Sequence, residues 1–386
     1  MQVSRAEHDE ADAQDRGVAR TGATWRVANN GVDSPDCGSH RRPCRTITQG
    51  IENAAPGDLV LVGPGLYGDV NGSCEFPQSA EEGEEFGFAA CANVPNTSLA
   101  GARVCLNKAV TVASVEGAEA TVIDACGSVF GVVVLGSNSA FGLPHRGFTV
   151  IQSSDVGGSA VAVSAPSNVT IAGNIAHPNP RGTGFQIQLG EDHRLVGNTA
   201  RGAFRGFSAL VAGTPVTRGL RITGNTAVSN NQGFSLVSEN ALVVRGNLAI
   251  GNDIGFIING SGHILQRNSA VGNRNYGIWI ARVVNNGAPI AVNQNNIFGN
   301  NTAALNGNVN CGVLNGTAAA VDATKNFWGA PTGPGANPAD DACDVGGGQI
   351  IHTPFARKQL RLRDKWNSSK FTVEDEDAEE SAPRAQ

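Results

Sequence analysis

Charge, aromatic rings and long apolar runs are all scarce in this sequence. Only 16% of its 386 residues are charged, against about 25% in an average globular chain. Aromatics make up 5%, and methionine occurs once. Hydrophobic residues still reach 40% at a net charge of −6, which excludes bulk disorder. No apolar run approaches the ~18 residues that would cross a membrane as a helix. A pI near 5.7 argues against a dedicated nucleic-acid binder. No CxxC pair occurs, which removes the common zinc and dithiol motifs. The seven histidines are scattered and show no metal-ligand spacing.

Glycine and asparagine fill the space that charge leaves. There are 50 glycines and 36 asparagines. The glycines have no three-residue period, so collagen is excluded. The eight cysteines are Cys37, Cys44, Cys74, Cys91, Cys105, Cys126, Cys311 and Cys343. An even count without metal spacing points to disulfides and an oxidising compartment. Pairing of sequence neighbours is expected: 37–44, 74–91, 105–126 and 311–343. The N-terminal residues are polar, with no apolar leader core. The cysteines therefore imply a chain whose leader has been removed, placed outside the cell, on its surface or in a periplasm. Residues 1–22 read as a flexible arm and 357–386 as a charged tail, leaving 23–356 as one domain.

The middle of the chain repeats about every 22 residues. RITGNTAVSNNQGFSLV and VVRGNLAIGNDIGFIIN are successive copies. Lead asparagines fall at Asn174, Asn198, Asn225, Asn247, Asn268 and Asn296. A glycine precedes an apolar residue at Gly184, Gly206, Gly233, Gly255 and Gly277. Each copy holds short alternating runs such as Phe234–Val237, too short for helices. One copy cannot bury its apolar side, whereas stacked copies can. The repeat therefore predicts an all-β solenoid, a parallel β-helix. Marked coils cover about 168–310 and a closing coil about 320–355. Upstream runs such as VLVGPG and ATVIDA extend the strands to Leu59, giving about 11 coils at ~4.8 Å each.

Glycine and asparagine tolerate φ > 0, which the coil corners need. Stacked asparagines at Asn198, Asn225, Asn247, Asn268 and Asn296 are expected to form a hydrogen-bonded ladder inside one bend, because the amide both donates and accepts.

Two further segments carry a resemblance. PCRTITQGIENAAPGDLVLVGPGLY (43–67) resembles the entry of right-handed parallel β-helix proteins, the pectate-lyase-like superfamily, and NFWGAPTGPG (326–335) resembles their closing coil. The resemblance implies a right-handed parallel β-helix with a short capping helix, with Ile47 and Ile51 on its apolar side and Thr46 or a neighbour as N-cap. Such proteins include pectate lyases, polygalacturonases, alginate epimerases, tailspikes and adhesins. Polysaccharide or a cell-surface glycan is the implied partner.

Hydrolysis would need two carboxylates about 5–10 Å apart. The outward positions of the GF strands are expected to be Gln186, Gln188, Ser208, Ser235, Val237, Ile257, Asn259 and Trp279, and none is acidic. The superfamily's hydrolase motifs are also missing as a set. Lyase or epimerase chemistry needs a base near an anionic sugar, for which Arg245, His263, Arg267 and Tyr276 are the candidates. Arg194 and Arg221 fall at equivalent positions of adjacent coils, and a Trp279 platform beside Asn259 and Arg282 suits a sugar. No cofactor is indicated. Ca²⁺ would need an oxygen cluster, and no cluster of carboxylates marks one. Asp33 and Asp36 read as turn formers. The sequence thus supports an exported protein that binds or processes polysaccharide along its side. A non-catalytic surface or adhesin protein is the alternative and a tailspike-like protein the third reading. The acidic loop 68–104, with Glu81, Glu82, Glu84 and Glu85, is expected to supply carboxylates if it folds onto the rod.

Overall fold

The computed structural model describes residues 22–75, 84–85, 101–153, 157–210, 219–238, 240–283, 289–300 and 310–361. Among them the strands form three parallel sheets of twelve, nine and ten strands. One coil shows the path. Arg221–Thr223 lies in the first sheet, Thr226–Val228 in the second and Gln232–Ser238 in the third. Val243–Arg245 then begins the next coil beside Arg221–Thr223. The chain is a parallel β-helix, as the repeat predicts.

Alternation within each short strand sends one set of side chains inward. Leu195, Ile222, Val244 and Leu265 stack in the first sheet. Ala200, Ala227, Ala249 and Ala270 stack in the second. Phe185, Phe207, Phe234 and Phe256 stack in the third, with ring centroids 5.0, 4.7 and 4.6 Å apart and planes within 11°. All are buried. Each Phe continues the apolar column of the coil before it, so the core is one continuous strip.

The corner between the first and second sheets holds the expected ladder, with one correction. Asn225 donates its backbone N–H to Asn247 Oδ1 at 2.9 Å, and its Nδ2 donates to the same oxygen at 3.1 Å and to the Leu195 carbonyl at 2.8 Å. The same pattern runs from Asn174 through Asn198, Asn225, Asn247 and Asn268. It then passes to Asn295 and Asn326, not to Asn296. Asn296 instead starts a strand in register with Ser269, and its side chain holds the N–H and carbonyl of Leu360.

A second ladder, which the repeat alone did not reveal, fills the corner between the second and third sheets. It runs Asn230, Asn252, Asn273, Asn300 and ends on Asp340. Its signal was present: each asparagine lies five residues after a member of the first ladder. The GF glycines are distinct from the corner glycines. Positive φ belongs to the corner glycines, such as Gly197 and Gly224. The GF row is glycine because a Cβ on Gly255 would lie 2.4 Å from the Gly277 carbonyl oxygen. The coils approach too closely there for any side chain.

The entry helix α1 (Ile47–Asn53) is capped by Thr46, whose hydroxyl accepts the Gln49 N–H. Ile47 and Ile51 are buried beneath it. Asp58 ties the first coil together by accepting from Ala23, Ala55 and the Trp25 indole. Burial alone would raise its pKa, but these hydrogen bonds outweigh that and hold it below the ordinary value.

Disulfides join Cys37–Cys44, Cys311–Cys343 and Cys74–Cys126. The last replaces the expected 74–91 and 105–126 pairs. Gly65–Gly68 and Thr121–Asp124 are neighbouring strands, so the cysteines that come after them meet across adjacent coils despite a separation of 52 residues. Cys105 is also disulfide-bonded, and Cys91 lies outside the described residues. The first residues of the expected tail 357–386 are held against the rod. Phe355–Arg361 returns along the rod through Ala356 N–H to the Asn326 carbonyl at 2.9 Å and through the Asn296–Leu360 pair. The arm 1–21 and residues 362–386 lie outside the described residues.

Candidate functional site

The candidate residues fall on three different parts of the rod. Arg194 and Arg221 are register partners in the first sheet, and both are exposed. Arg245 pairs with Thr223, two positions along the strand. The Arg194–Arg221 row continues as Val243 and Ile264, both exposed. The basic stripe is therefore two residues long and then turns apolar.

His263 is buried and fully engaged. Its Nδ1 accepts the Leu242 N–H at 3.1 Å, and Nε2 lies 3.1 Å from the Asn259 carbonyl. An amide donor on one side and a carbonyl on the other assign the neutral Nε2–H form. Burial pushes its pKa down, against the Asn259 hydrogen bond. His193 repeats the arrangement with the Val169 N–H at 3.1 Å and the Leu189 carbonyl at 2.9 Å. Both come three residues after a glycine, and a Cβ on Gly190 or Gly260 would lie 2.3 or 2.5 Å from the ring nitrogen. The G-x-x-H corner is thus a structural staple. His263 fixes the backbone at Asn259 and has no nitrogen left for proton transfer.

Trp279 stands on the outer side of the third sheet. Its register row runs Gln186, Ser208, Ser235, Ile257, Trp279 and Leu314. Ser208, Ser235, Ile257 and Leu314 are buried, whereas Gln186 and Trp279 are partly exposed. The outward row is therefore not the open face the alternation predicts. Trp279 packs with Tyr276, Leu314 and the Cys311–Cys343 bridge. Its ring lies 6.1 Å from that of Tyr276 at 49°. Tyr276 itself is buried, so it supports the indole from beneath.

A β-bulge decides where Arg282 points. Ile257 pairs with Trp279 and Ile258 with Ile280, but Asn259 pairs with Arg282. The extra residue, Ala281, breaks strict alternation and re-aims the end of the strand. Arg282 is exposed and Asn259 partly so. Trp279, Asn259 and Arg282 thus lie together, on a corner held by His263. Arg245 and Arg267 do not join them. Arg267 occupies the corner between the first and second sheets with φ 57°.

The described residues offer little to a metal. Their one cluster of potential ligands is Asp69 with Cys74 and Cys126, whose sulfurs are committed to a disulfide. Asp33 is not the local turn former expected: its carboxylate accepts the N–H groups of Arg45 and Thr46 and so ties its loop to the start of α1. The acidic loop spends its described carboxylates on structure. Glu84 pairs with buried Arg103 at 3.2 Å. Glu85 accepts from the Ile47 and Thr48 N–H groups at the start of α1. Burial raises Glu85 to about 7. Glu81 and Glu82 lie outside the described residues.

Comparison with known proteins agrees with this geometry. Residues 126–264 match the family described as right handed beta helix region. Among solved structures the chain is similar to a rhamnogalacturonan lyase, with 15% identity, 87% of this chain and 88% of that chain covered, and a TM-score of 0.56. It is also similar to the pectate lyase Pel9A, with 18% identity, 87% and 79% coverage, and a TM-score of 0.50. The fold is a right-handed parallel β-helix. No curated protein sequence matches the chain. At these identities the likeness is one of fold, and fold alone does not carry chemistry.

Proposed function

We propose that this right-handed β-helix is an exported protein that binds polysaccharide on its lateral face, with Trp279 as the sugar platform. The observation that carries the reading is the grouping of a partly exposed indole with Asn259 and Arg282 on one bulged strand pair. A flat apolar face beside hydrogen-bond donors suits the face and edge of a sugar ring. The disulfides support an oxidising compartment. Two solved structures of similar fold are named as a pectate lyase and a rhamnogalacturonan lyase, which supports a glycan partner. Binding is favoured over turnover by the placement of the four candidate catalytic residues. His263 is a staple, Tyr276 is buried, and Arg245 and Arg267 lie elsewhere on the rod.

The test is a glycan array and then titration calorimetry with the wild-type chain and Trp279→Ala. Loss of about fivefold or more in affinity is expected, since stacking of this kind is worth ~1 kcal/mol or more. Full affinity in the variant would reject the platform.

A further inference from the structure

Seven corner residues stand in one column, each just before a member of the first ladder. They are Gly173, Gly197, Gly224, Gly246, Arg267, Gln294 and Lys325, with φ of 68, 62, 64, 64, 57, 56 and 62°. This conformation is free for glycine and costs any L side chain. Four coils use glycine. The last three keep Arg, Gln and Lys where the backbone alone would favour glycine, and retained strain at a surface position points to function.

Stacking places the three on successive coils, ~4.8 Å apart. The returning segment supplies the opposite wall. The result is an open cleft of about 480 Å³ lined by Arg267, Gln294, Lys325, Phe355, Leu360 and Arg361 among others. Its wall is fixed: Asn296 holds Leu360 by two hydrogen bonds, and the Phe355 ring sits where a Cβ on Gly333 would come within 2.6 Å. Among the described residues no carboxylate pairs with Arg267, Lys325 or Arg361. Gln294 Oε1 accepts from Gln266 Nε2 at 3.2 Å, which leaves the Gln294 amide NH₂ as the donor end. Every polar side chain named in the lining therefore presents donors, and three of the four are cationic.

We infer that this cleft binds an acidic sugar, a ring carrying carboxylate or sulfate, at a site separate from Trp279. Arg and Lys match the anionic group, and Phe355 and Leu360 supply an apolar wall for the ring. The sugar part rests on the glycan-binding reading above. The charge part rests on the cleft alone.

The experiment titrates the full chain with a uronic-acid tetrasaccharide, dextran sulfate and uncharged dextran, and repeats the acidic titrations with inorganic phosphate as competitor. The variants are Arg267→Gly with Lys325→Gly, Arg361→Gln, and Trp279→Ala. The glycine pair restores the residue of the earlier coils, so its Tm is expected to hold or rise. At least one acidic probe should bind the wild type, and bind the glycine pair and Arg361→Gln at least about tenfold more weakly. It should keep binding Trp279→Ala, while uncharged dextran shows no difference between wild type and the glycine pair. Unchanged affinity of the glycine pair for the acidic probes would overturn the site. So would acidic binding that disappears only in Trp279→Ala. Full displacement by equimolar phosphate would show a free-anion site and overturn the sugar assignment.

Discussion

Asn300 donates its Nδ2–H to Asp340 Oδ2 at 2.6 Å, and its backbone N–H reaches both oxygens of that carboxylate at 3.2 Å. A carboxylate thus ends a ladder otherwise made of neutral amides. Burial raises its pKa to about 6, although the Asn300 hydrogen bonds pull the other way. The free value is 3.8, so the folded state holds the proton more tightly. Stability from this group is complete below about pH 4 and is lost as pH rises through 6, a loss on the order of 2–3 kcal/mol. Asp340→Asn keeps an acceptor and removes the charge. The stability difference between variant and wild type should therefore grow in the variant's favour from pH 4 to 7, read from urea midpoints across that range. A difference constant with pH would reject the assignment. Taking the difference also cancels Glu85, whose raised pKa acts in the same direction.

Asn247 tests the first ladder. Its Oδ1 serves both the N–H and the Nδ2 of Asn225, and its own Nδ2 serves the Ile222 carbonyl at 2.8 Å. Asn247→Ala strands these groups in a buried corner, where each unsatisfied group costs ~1–3 kcal/mol. A loss of about 3 kcal/mol or more is expected by chemical denaturation. Asn296→Ala should cost less, because that side chain only ties down Leu360.

These two asparagines also show what the sequence could reveal. Repeat spacing located the coils and the ladder type, because each needs a fixed residue at a fixed interval, whereas the entry helix was legible only through the resemblance carried by residues 43–67. It misplaced the ladder at Asn296 because two asparagines stand side by side, and only the strand register separates them. The Cys74–Cys126 bond was hidden because the loop between them lengthens the sequence path but not the spatial one. The site was less legible still. Trp279 could be picked out as an outward aromatic, but the bulge that brings Arg282 beside Asn259 has no one-residue signature. His263 resembled a catalytic candidate until both ring nitrogens proved to be bonded within the fold. The basic cleft needs a segment from beyond the last coil, and nothing in the repeat pattern brings that segment back.

Two glycines of different origin should respond differently to alanine. Gly255 has no room: a Cβ would lie 2.4 Å from the Gly277 oxygen and 2.9 Å from Asn273 Nδ2. Gly197 has φ 62° and nothing within 4 Å of a built Cβ. Gly255→Ala must push coils apart and is expected to cost about 3 kcal/mol. Gly197→Ala pays only backbone strain, about 1 kcal/mol. Thermal melts of the two variants should rank them in that order, and equal shifts would refute the distinction between crowding and conformation.

His263 gives the opposite pH dependence from Asp340. Burial depresses its pKa below the ordinary 6.5, and the neutral ring accepts the Leu242 N–H. Its contribution is present above pH 6.5 and is lost as pH falls toward the depressed value. Protonation would set an N–H against an N–H in a buried corner. His263→Ala should therefore lower stability by about 2 kcal/mol at pH 7.5, with the deficit shrinking as the pH falls below 6.5 toward the depressed value. A catalytic histidine would behave otherwise. Its removal would abolish turnover of a polysaccharide while leaving the melting point almost unmoved. Melting curves and product assays on one preparation of the variant separate the two roles, and the bonded geometry predicts the first.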